Sequence, residues 1–527
     1  MSVARAMRPA PFFTALCLLL SLAGCSLPSL EGRADSQAVA ADSTQQSRLG
    51  QAVQQLRSAH AEGQNAALTG IHTLADPREA FAARALLARA ADQTLDVQYY
   101  IWRGDKTGSL LLRELLTAAD RGVRVRLLLD DGGTAGLDAE LAALDSHPLI
   151  EVRLFNPFVL RTGKYLGYVT DFERTNRRMH NKSFTADNQA TIIGGRNVGN
   201  EYFGATDGVL FSDLDVLAIG PAVPEVSSDF DRYWNSASAY PIALLVQADA
   251  DTTLDTLHQQ YRQLAASPAS EDFARAVEMT PFIQQLLQAQ LPLEWARVAL
   301  VSDDPAKVLG EAPKEGLMLP QLMQLTGMPR QQLDLVSPYF VPTQAGTEAL
   351  AQLRQQGVQV RVLTNALEAT DVAVVHSGYA KYRQPLLQAG IQLFEMRSNN
   401  PQPVELEDQF KLGSLGSSGT SLHAKTFAID GQKAFVGSFN FDPRSAALNT
   451  ELGFVIHSPE LARQIRDSFD TQVPLRAYEV SLDAQGRLQW QSQTNDGVAT
   501  YTQEPYSSWW LRMLLRVLGW LPIEWLL

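Results

Sequence analysis

Apolar runs of strand character recur along the chain in the same order twice. Thr94–Trp102 (TLDVQYYIW) and Gln332–Phe340 (QLDLVSPYF) each carry one aspartate, Asp96 or Asp334, inside an otherwise apolar stretch. Twelve residues beyond each aspartate stands a glycine, Gly108 or Gly346, followed by a Leu- and Ala-rich segment of helical period. Each segment passes through a Gly turn into a second strand, within Arg121–Leu129 or Gln356–Leu363. Strand, helix and strand at this spacing predict a right-handed βαβ unit, so each half should hold a mixed or parallel sheet flanked by helices. Asp213–Pro221 (DLDVLAIGP) and Glu451–Pro459 (ELGFVIHSP) close the two series in step. The chain reads as two copies of one α/β unit.

The remaining pattern fills in around them. Helical periodicity in 254–264 and 273–290 predicts a helical linker over 242–293, placing the first unit at 76–241 and the second at 294–480. Residues 25–75 are polar and Gln/Ala-rich, which predicts a tether or helix. Residues 414–420 (SLGSSGT) predict a flexible loop before His423, a mobile lip of a site. A short β extension is expected over 481–504, and 505–527 is amphipathic. That last segment holds four of the eight tryptophans, with Arg512 and Arg516 on one helical face. It suits a helix at a membrane interface, or one docked on the protein's own core; Pro522 and Glu524 interrupt it before it can span. At the other end, Arg5 and Arg8 precede an apolar run from Pro11 to Leu22, too short to cross a bilayer, and small residues lead to Cys25. That order predicts a signal peptide over 1–24.

Composition excludes some classes. Hydrophobic residues make up 45% and charged residues 19%, a globular balance. The net charge of -13 argues against a nucleic-acid partner, which calls for a basic face. Two cysteines in 527 residues exclude a disulfide framework and a Cys-based zinc site.

The candidate chemistry sits inside the duplication. His180, Lys182, Asp187 and Asn197 in the first copy match His423, Lys425, Asp430 and Asn440 in the second. From each histidine the lysine is two residues on, the aspartate seven and the asparagine seventeen. Residues i and i+2 of a strand project from one face, so each imidazole and ammonium share a space. Asn197, and Ser438 with Asn440, lie near glycines that let backbone approach a ligand, and are candidates for binding phosphate. Two such units about a pseudo-two-fold axis would gather two His, two Lys and two Asn. The lysines would hold a phosphate oxyanion, one histidine would attack phosphorus and the other would protonate the leaving oxygen. Asp213 and Glu451 are placed to hold the second nitrogen of each imidazole. No metal or cofactor is required, because the lysines supply the charge. One His-x-Lys alone is most often a surface dipeptide; two at matched positions reverse that weighting.

With Gly-Gly-Arg-Asn at 194–197 and Gly-Ser-Phe-Asn at 437–440, the two motifs resemble the signature of the phospholipase D superfamily, over about residues 75–480. Leu95–Trp102, Ala118–Asp131, Val375–Arg383 and Leu521–Leu527 are most similar to bacterial phosphatidyltransferases of the cardiolipin synthase C type. The resemblance implies an α/β fold of two duplicated phospholipase D-like α/β/α sandwich domains, packed about a pseudo-two-fold axis in a monomer. It implies phospholipid substrates and a phosphatidyl-histidine intermediate, with His180 as nucleophile and His423 as acid/base, roles that near-symmetry allows to be exchanged. It places Asp187 and Asp430 in the catalytic motif, as braces more than as substrate contacts. Hydrolysis to phosphatidic acid is the alternative, and a phospholipase D-type endonuclease is disfavoured by the acidic charge. Leu22-Ala-Gly-Cys25 resembles a bacterial lipobox, which implies a lipid on Cys25, loss of Cys17 with the signal and a membrane-anchored lipoprotein on the periplasmic face. Ser26 after the cysteine favours the outer membrane.

Other residues keep two readings at this point. Tyr99, Tyr100 and Trp102 suit an acyl groove or the core. His376 and Tyr379 suit a ligand site at a strand end or a structural role. Arg174, Arg177 and Arg178 suit attraction of anionic head groups or a solvated loop. Arg196, in the position of Phe439, has no assigned role.

Overall fold

The computed structural model describes residues 26–60, 67–205, 210–280, 285, 291–370, 372–398, 420–494 and 497–527. Cys25, the signal segment, the loop 414–419 and most of 281–290 lie outside the described residues.

In the first half the strands are β1 (Thr69–Leu74), β2 (Thr94–Tyr99), β3 (Arg124–Asp130), β4 (Ile150–Phe155), β5 (Ser183–Ala186), β6 (Ala190–Gly194), β7 (Leu210–Ser212), β8 (Asp215–Ile219) and β9 (Ala239–Pro241). The second half has β10 (Glu294–Ser302), β11 (Gln332–Val336), β12 (Gln359–Asn365), β13 (Gln392–Met396), β14 (Thr420–Leu422), β15 (Thr426–Ile429), β16 (Lys433–Gly437) and β17 (Leu452–His457), then β18 (Ala477–Leu482), β19 (Leu488–Thr494) and β20 (Gly497–Tyr501). The first sheet runs β9-β4-β3-β2-β5-β6-β8-β1 and the second β10-β17-β16-β15-β11-β12-β13-β18-β19-β20. In each, three central strands are parallel, β2-β3-β4 and β11-β12-β13, as the βαβ spacing predicts. β1 pairs antiparallel with β10, so the two sheets join into one of 18 strands.

Both faces of each sheet are covered, which is why the central strands read as continuous apolar runs. In β3, Leu127 and Leu129 belong to the core under the helices Pro77–Ala90 and Lys106–Asp120, while Leu128 faces the helix Ala222–Trp234. The first of these helices starts at Asp76, whose carboxylate accepts from the backbone N–H groups of Arg78 and Glu79 with Pro77 at the first turn. The linker helices Leu254–Ala265 and Pro268–Glu278 are not free-standing. Leu257, Tyr261, Phe273 and Val277 enter the first core.

The two aspartates that marked the duplication anchor a repeated ion pair. Arg126 on β3 donates to Asp96 at 2.7 Å, and Arg361 on β12 donates to Asp334 at 2.6 Å, each pair directly opposed across a parallel ladder. Each arginine also pairs with an aspartate on its half's covering helix, Asp231 or Asp470, and lies over the preceding phenylalanine, Phe230 or Phe469. The guanidinium pins helix to sheet in both copies.

Of the tether or helix expected over 25–75, the structure has a helix at Arg48–His60, and the stretch before it is not a free tether. Residues 33–44 form a strap bound along the first half. The Arg33 guanidinium donates to the carbonyls of Asn235, Ser236 and Ala239; Ser36 accepts from Arg126 and Trp234; Ala38 N–H donates to Asp231; and Thr44 donates to the Asp187 carbonyl. The strap's polar side chains such as Asp35, Gln37 and Asp42 stay exposed while its backbone pairs with polar groups at the edge of the first half. At the far end, the helix Trp509–Trp520 docks Leu511 and Leu515 on Leu367 and Ala373 of the second half. Its other face leaves Trp509, Trp510 and Trp520 exposed. No helix among the described residues is long and apolar enough to cross a membrane.

Arg126→Ala should strand Asp96 in the interior and cost about 3–5 kcal/mol, read as a lowered denaturant midpoint.

Candidate active site

His180 and Lys182 precede β5, and His423 and Lys425 precede β15. β5 and β15 run antiparallel to β2 and β11, with Ser183 opposite Gln98 and Thr426 opposite Val336. Both His-x-Lys pairs therefore stand at the carboxyl ends of the central parallel strands, the edge where α/β sheets bind ligands.

The halves are interlocked there. Met179 forms a parallel bridge with Thr450, and His180 N–H donates to the Thr450 carbonyl at 2.9 Å. In the mirror position β14 pairs parallel with β7, and His423 N–H donates to the Ser212 carbonyl at 2.8 Å. The next residues in the two partner segments are Glu451 and Asp213. Consequently His180 Nδ1 lies 2.8 Å from Glu451 Oε2, and His423 Nδ1 lies 2.6 Å from Asp213 Oδ2. Each imidazole is held by the carboxylate of the other half. With Nδ1 on a carboxylate, Nε2 is the nitrogen turned to other partners in each ring; at His423 it lies 3.4 Å from Lys425 Nζ. Both rings are nearly buried and each meets a tyrosine edge: Tyr100 at 5.0 Å from His180, Tyr202 at 5.2 Å from His423.

Two buried lysines and two carboxylates set the electrostatics. Lys182 donates to the His180 carbonyl at 2.6 Å, and Lys425 to that of His423. Burial lowers Lys182 well below the ordinary amine value, with Glu451 opposing and Lys425 adding to it. Burial, then Lys182 and Lys425, lower His180 well below the usual imidazole range. His423 falls to about 4 through burial and Lys425, with Asp213 opposing. The acids diverge. Burial pushes Glu451 up to about 7 against the pull of Lys182, whereas for Asp213 burial is outweighed by His423, Lys425 and Arg196, which hold its carboxyl below the usual range. The site therefore has two chemically unequal histidines on a near-symmetric frame. No cluster able to hold a metal ion is found among the described residues.

The family model described as cardiolipin synthase, PLD-like domain, matches residues 84–234 and 322–473, one match over each half-site. The chain belongs to this phospholipase D-like family. It is 48% identical to cardiolipin synthase C of Escherichia coli over 91% of this chain and 100% of that protein. It is 23% identical to cardiolipin synthase B of Shigella flexneri over 82% of this chain and 85% of that one. The crystal structure of phosphatidylserine synthase from Haemophilus influenzae superposes with a TM-score of 0.53 at 15% identity, covering 82% of this chain and 92% of that one, which is a likeness of fold.

Within this phospholipase D-like site several expected roles change. Asp187 and Asp430 lie at the far ends of β5 and β15. Asp187 accepts from the backbone N–H groups of Asp92, Gln93 and Thr94, and Asp430 from those of Arg330, Gln331 and Gln332. They cap the starts of β2 and β11 away from the histidines, as braces of the motif and not as groups that reach the chemistry. The phosphate-binding expectation is corrected for two residues whose groups are engaged. Asn197 accepts from Ile101 N–H and donates to the Tyr202 hydroxyl, while the Ser438 hydroxyl donates to Glu451 Oε2 at 2.5 Å. Asn440 differs, with a buried carboxamide oxygen that has no hydrogen-bond partner among the described residues.

Of Tyr99, Tyr100 and Trp102, it is Tyr100 that reaches the site; Tyr99 bonds Arg84, and Trp102 donates to the Gly108 carbonyl in the core. Arg174 and Arg178 hold the turn around Asn156, and Arg177 donates to the Lys307 carbonyl. His376 and Tyr379 belong to a buried network with Arg383, Glu395 and Glu504. Arg196 acquires a role: it donates to the carbonyls of Leu74, Ala75 and Asp213 and pairs with Asp215, fixing the loop that presents the acid to His423. Sequence reasoning missed Asp130 and Asn365, the last residues of β3 and β12. Asp130 accepts from Met179 N–H and Asn365 brackets Leu422, so each fixes the residue before a histidine. Their matched position in the repeat was the available signal.

Asp187→Asn should lower stability by about 1–3 kcal/mol through weaker strand capping while the folded protein keeps its turnover. Thermal melting and rate per folded molecule separate the two effects.

Proposed function

We propose that the protein transfers a phosphatidyl group between glycerophospholipids, forming cardiolipin when phosphatidylglycerol is the acceptor. What carries this reading is the pair of imidazoles, each held through Nδ1 by a carboxylate of the other half, beside two buried lysines in one site. The 48% identity to a cardiolipin synthase C supports the lipid class.

The unequal acids support His180 as nucleophile. Asp213 stays ionised and favours a proton on His423, whereas Glu451, pushed up to about 7, gives His180 less support for a second proton. In the first step His180 Nε2 attacks phosphorus; the N–P bond forms as the P–O bond to the donor alcohol breaks, and His423 gives that oxygen its proton. A phosphodiester facing Lys182 and Lys425 offsets the lysine charges that, after burial, depress His423. In the second step His423 takes the proton of the acceptor hydroxyl, its oxygen attacks phosphorus and the N–P bond breaks. Lys182 and Lys425 stabilise the charge on the non-bridging oxygens, and Asn440 supplies a further polar contact. Ser438, Asp213 and Glu451 act through the imidazoles as positioning residues. The same reading places a lipid on Cys25 and the protein at the periplasmic side of the outer membrane.

Mass spectrometry of products from phosphatidylglycerol vesicles should find cardiolipin and glycerol; phosphatidic acid alone would assign a hydrolase. His180→Ala and His423→Ala should each abolish turnover, and either variant remaining active would remove the two-histidine route. Ionised Glu451 is the acceptor for His180 Nδ1–H and is lost as the pH falls, so kcat/KM should rise with pH through about 7. Glu451→Gln should remove that rise and lower kcat by about 10²–10⁴-fold, checked by pH–rate profiles of both forms.

A further inference from the structure

Three chain-distant segments meet beside the His180 half of the site. The segment before the first motif exposes Leu166, Val169 and Phe172, with Val169 at 82%. The C-terminal segment exposes Val517, Trp520 and Trp525, with Trp520 at 84%. The two are continuous: the Phe172 ring stands edge-on to Trp525 with centroids 6.4 Å apart. Arg444 ties them to the chemistry. Its guanidinium donates to Asn176 and to the Leu526 carbonyl, and its charge is among those that lower His180.

The third segment is the start of the strap. Arg33 is fixed to the carbonyls of Asn235, Ser236 and Ala239, and Ala239 lies opposite Phe155 at the carboxyl end of β4. The next residue, Asn156, donates to the carbonyls of Arg174 and Arg177, at the base of the Phe172 segment. From Arg33 the strap runs to the opposite sheet edge, where Thr44 meets Asp187. Arg33 follows Cys25 by eight positions, a reach of about 26–29 Å fully extended. The strap is thus first fixed, at Arg33, on the edge that carries the site, and an acyl group on Cys25 would lie within that reach of it.

We infer that these three segments form one surface that lies against a lipid bilayer, with the paired histidines opening onto it. Large exposed aromatics clustered on one face are unusual for a solvated surface, and tryptophan and phenylalanine suit head-group depth. The helix face next to them carries Arg512 and Arg516, neither paired with a carboxylate among the described residues; Arg512 donates to Gln503 and the Ser507 carbonyl. Cations there complement an anionic leaflet. The proposal rests on the phosphatidyl-transfer reading and adds how substrate arrives: sideways from the leaflet, without leaving it.

The test uses the full chain with Cys17→Ser and Cys25→Ser, so that no acyl anchor contributes. One environment-sensitive fluorophore is placed by Val169→Cys, or by Asp42→Cys on the strap's far end, which is exposed. With phosphatidylglycerol vesicles the label at 169 should shift to the blue and be quenched by brominated lipid, while the label at 42 stays as in water. No change at 169, or equal changes at both positions, overturns the proposal. A blue shift at 169 without vesicles that grows with protein concentration also overturns it, by assigning the face to a second copy of the chain. Phe172→Ser with Trp525→Ser should weaken vesicle partitioning about tenfold or more and leave turnover of a dispersed short-chain phosphatidylglycerol unchanged. Undiminished partitioning counts against the surface. Absent short-chain turnover in the parent counts against the functional reading alone, because the labels still report the surface.

Discussion

Everything at the centre of this molecule depends on two imidazole–carboxylate contacts that cross from one half to the other. An imidazole can attack or protonate only if its tautomer is fixed, and the carboxylate on Nδ1 fixes it. Because His180 takes Glu451 and His423 takes Asp213, neither half holds a prepared histidine alone. The backbone enforces this: the residue before each histidine pairs with the segment that ends at the other half's acid. Docking of the halves and preparation of the catalytic rings are one event.

Around that centre the duplication is strict where it supports the frame and relaxed where the halves divide the work. The Asp96–Arg126 and Asp334–Arg361 pairs, and the Asp187 and Asp430 caps, repeat almost unchanged. The histidine-orienting layer does not. Ser438 gives Glu451 a hydroxyl, whereas Gly195 occupies the matching position with Asp213 so close that a Cβ would lie 2.2 Å from its carboxylate. Arg196 and Asp215 form an ion pair where the second half has Phe439 and Gly453. The two carboxyls move in opposite directions because His423 and Lys425, with Arg196 adding to them, outweigh burial at Asp213, whereas burial prevails over Lys182 at Glu451. A near-symmetric fold thereby acquires two unequal acids behind its histidines.

The periphery follows the same logic of attachment. The strap, the linker helices and the C-terminal helix all bind the frame through side chains that composition alone presents as solvated or ambiguous. Arg33 and Thr44 hold the strap, Tyr261 and Phe273 the linker, and Leu511 and Leu515 the terminal helix.

The sequence by itself determined the duplication, the parallel strand core, the two His-x-Lys pairs and the acids that accompany them. These depend on period and spacing, which are local: a strand repeats every two residues and an α/β unit at fixed offsets. Only the tertiary structure decided which acid serves which histidine, because that choice is made by a ladder between segments some 270 residues apart. The same holds for Asp187 and Asp430, which a motif groups with His180 and His423 but a strand carries to the opposite edge of the sheet. Asn197 and Ser438 likewise have the right residue type for phosphate, yet partners from elsewhere in the fold take up their polar atoms. Residue type and spacing state what a side chain is able to do; which partner reaches it first is decided by packing.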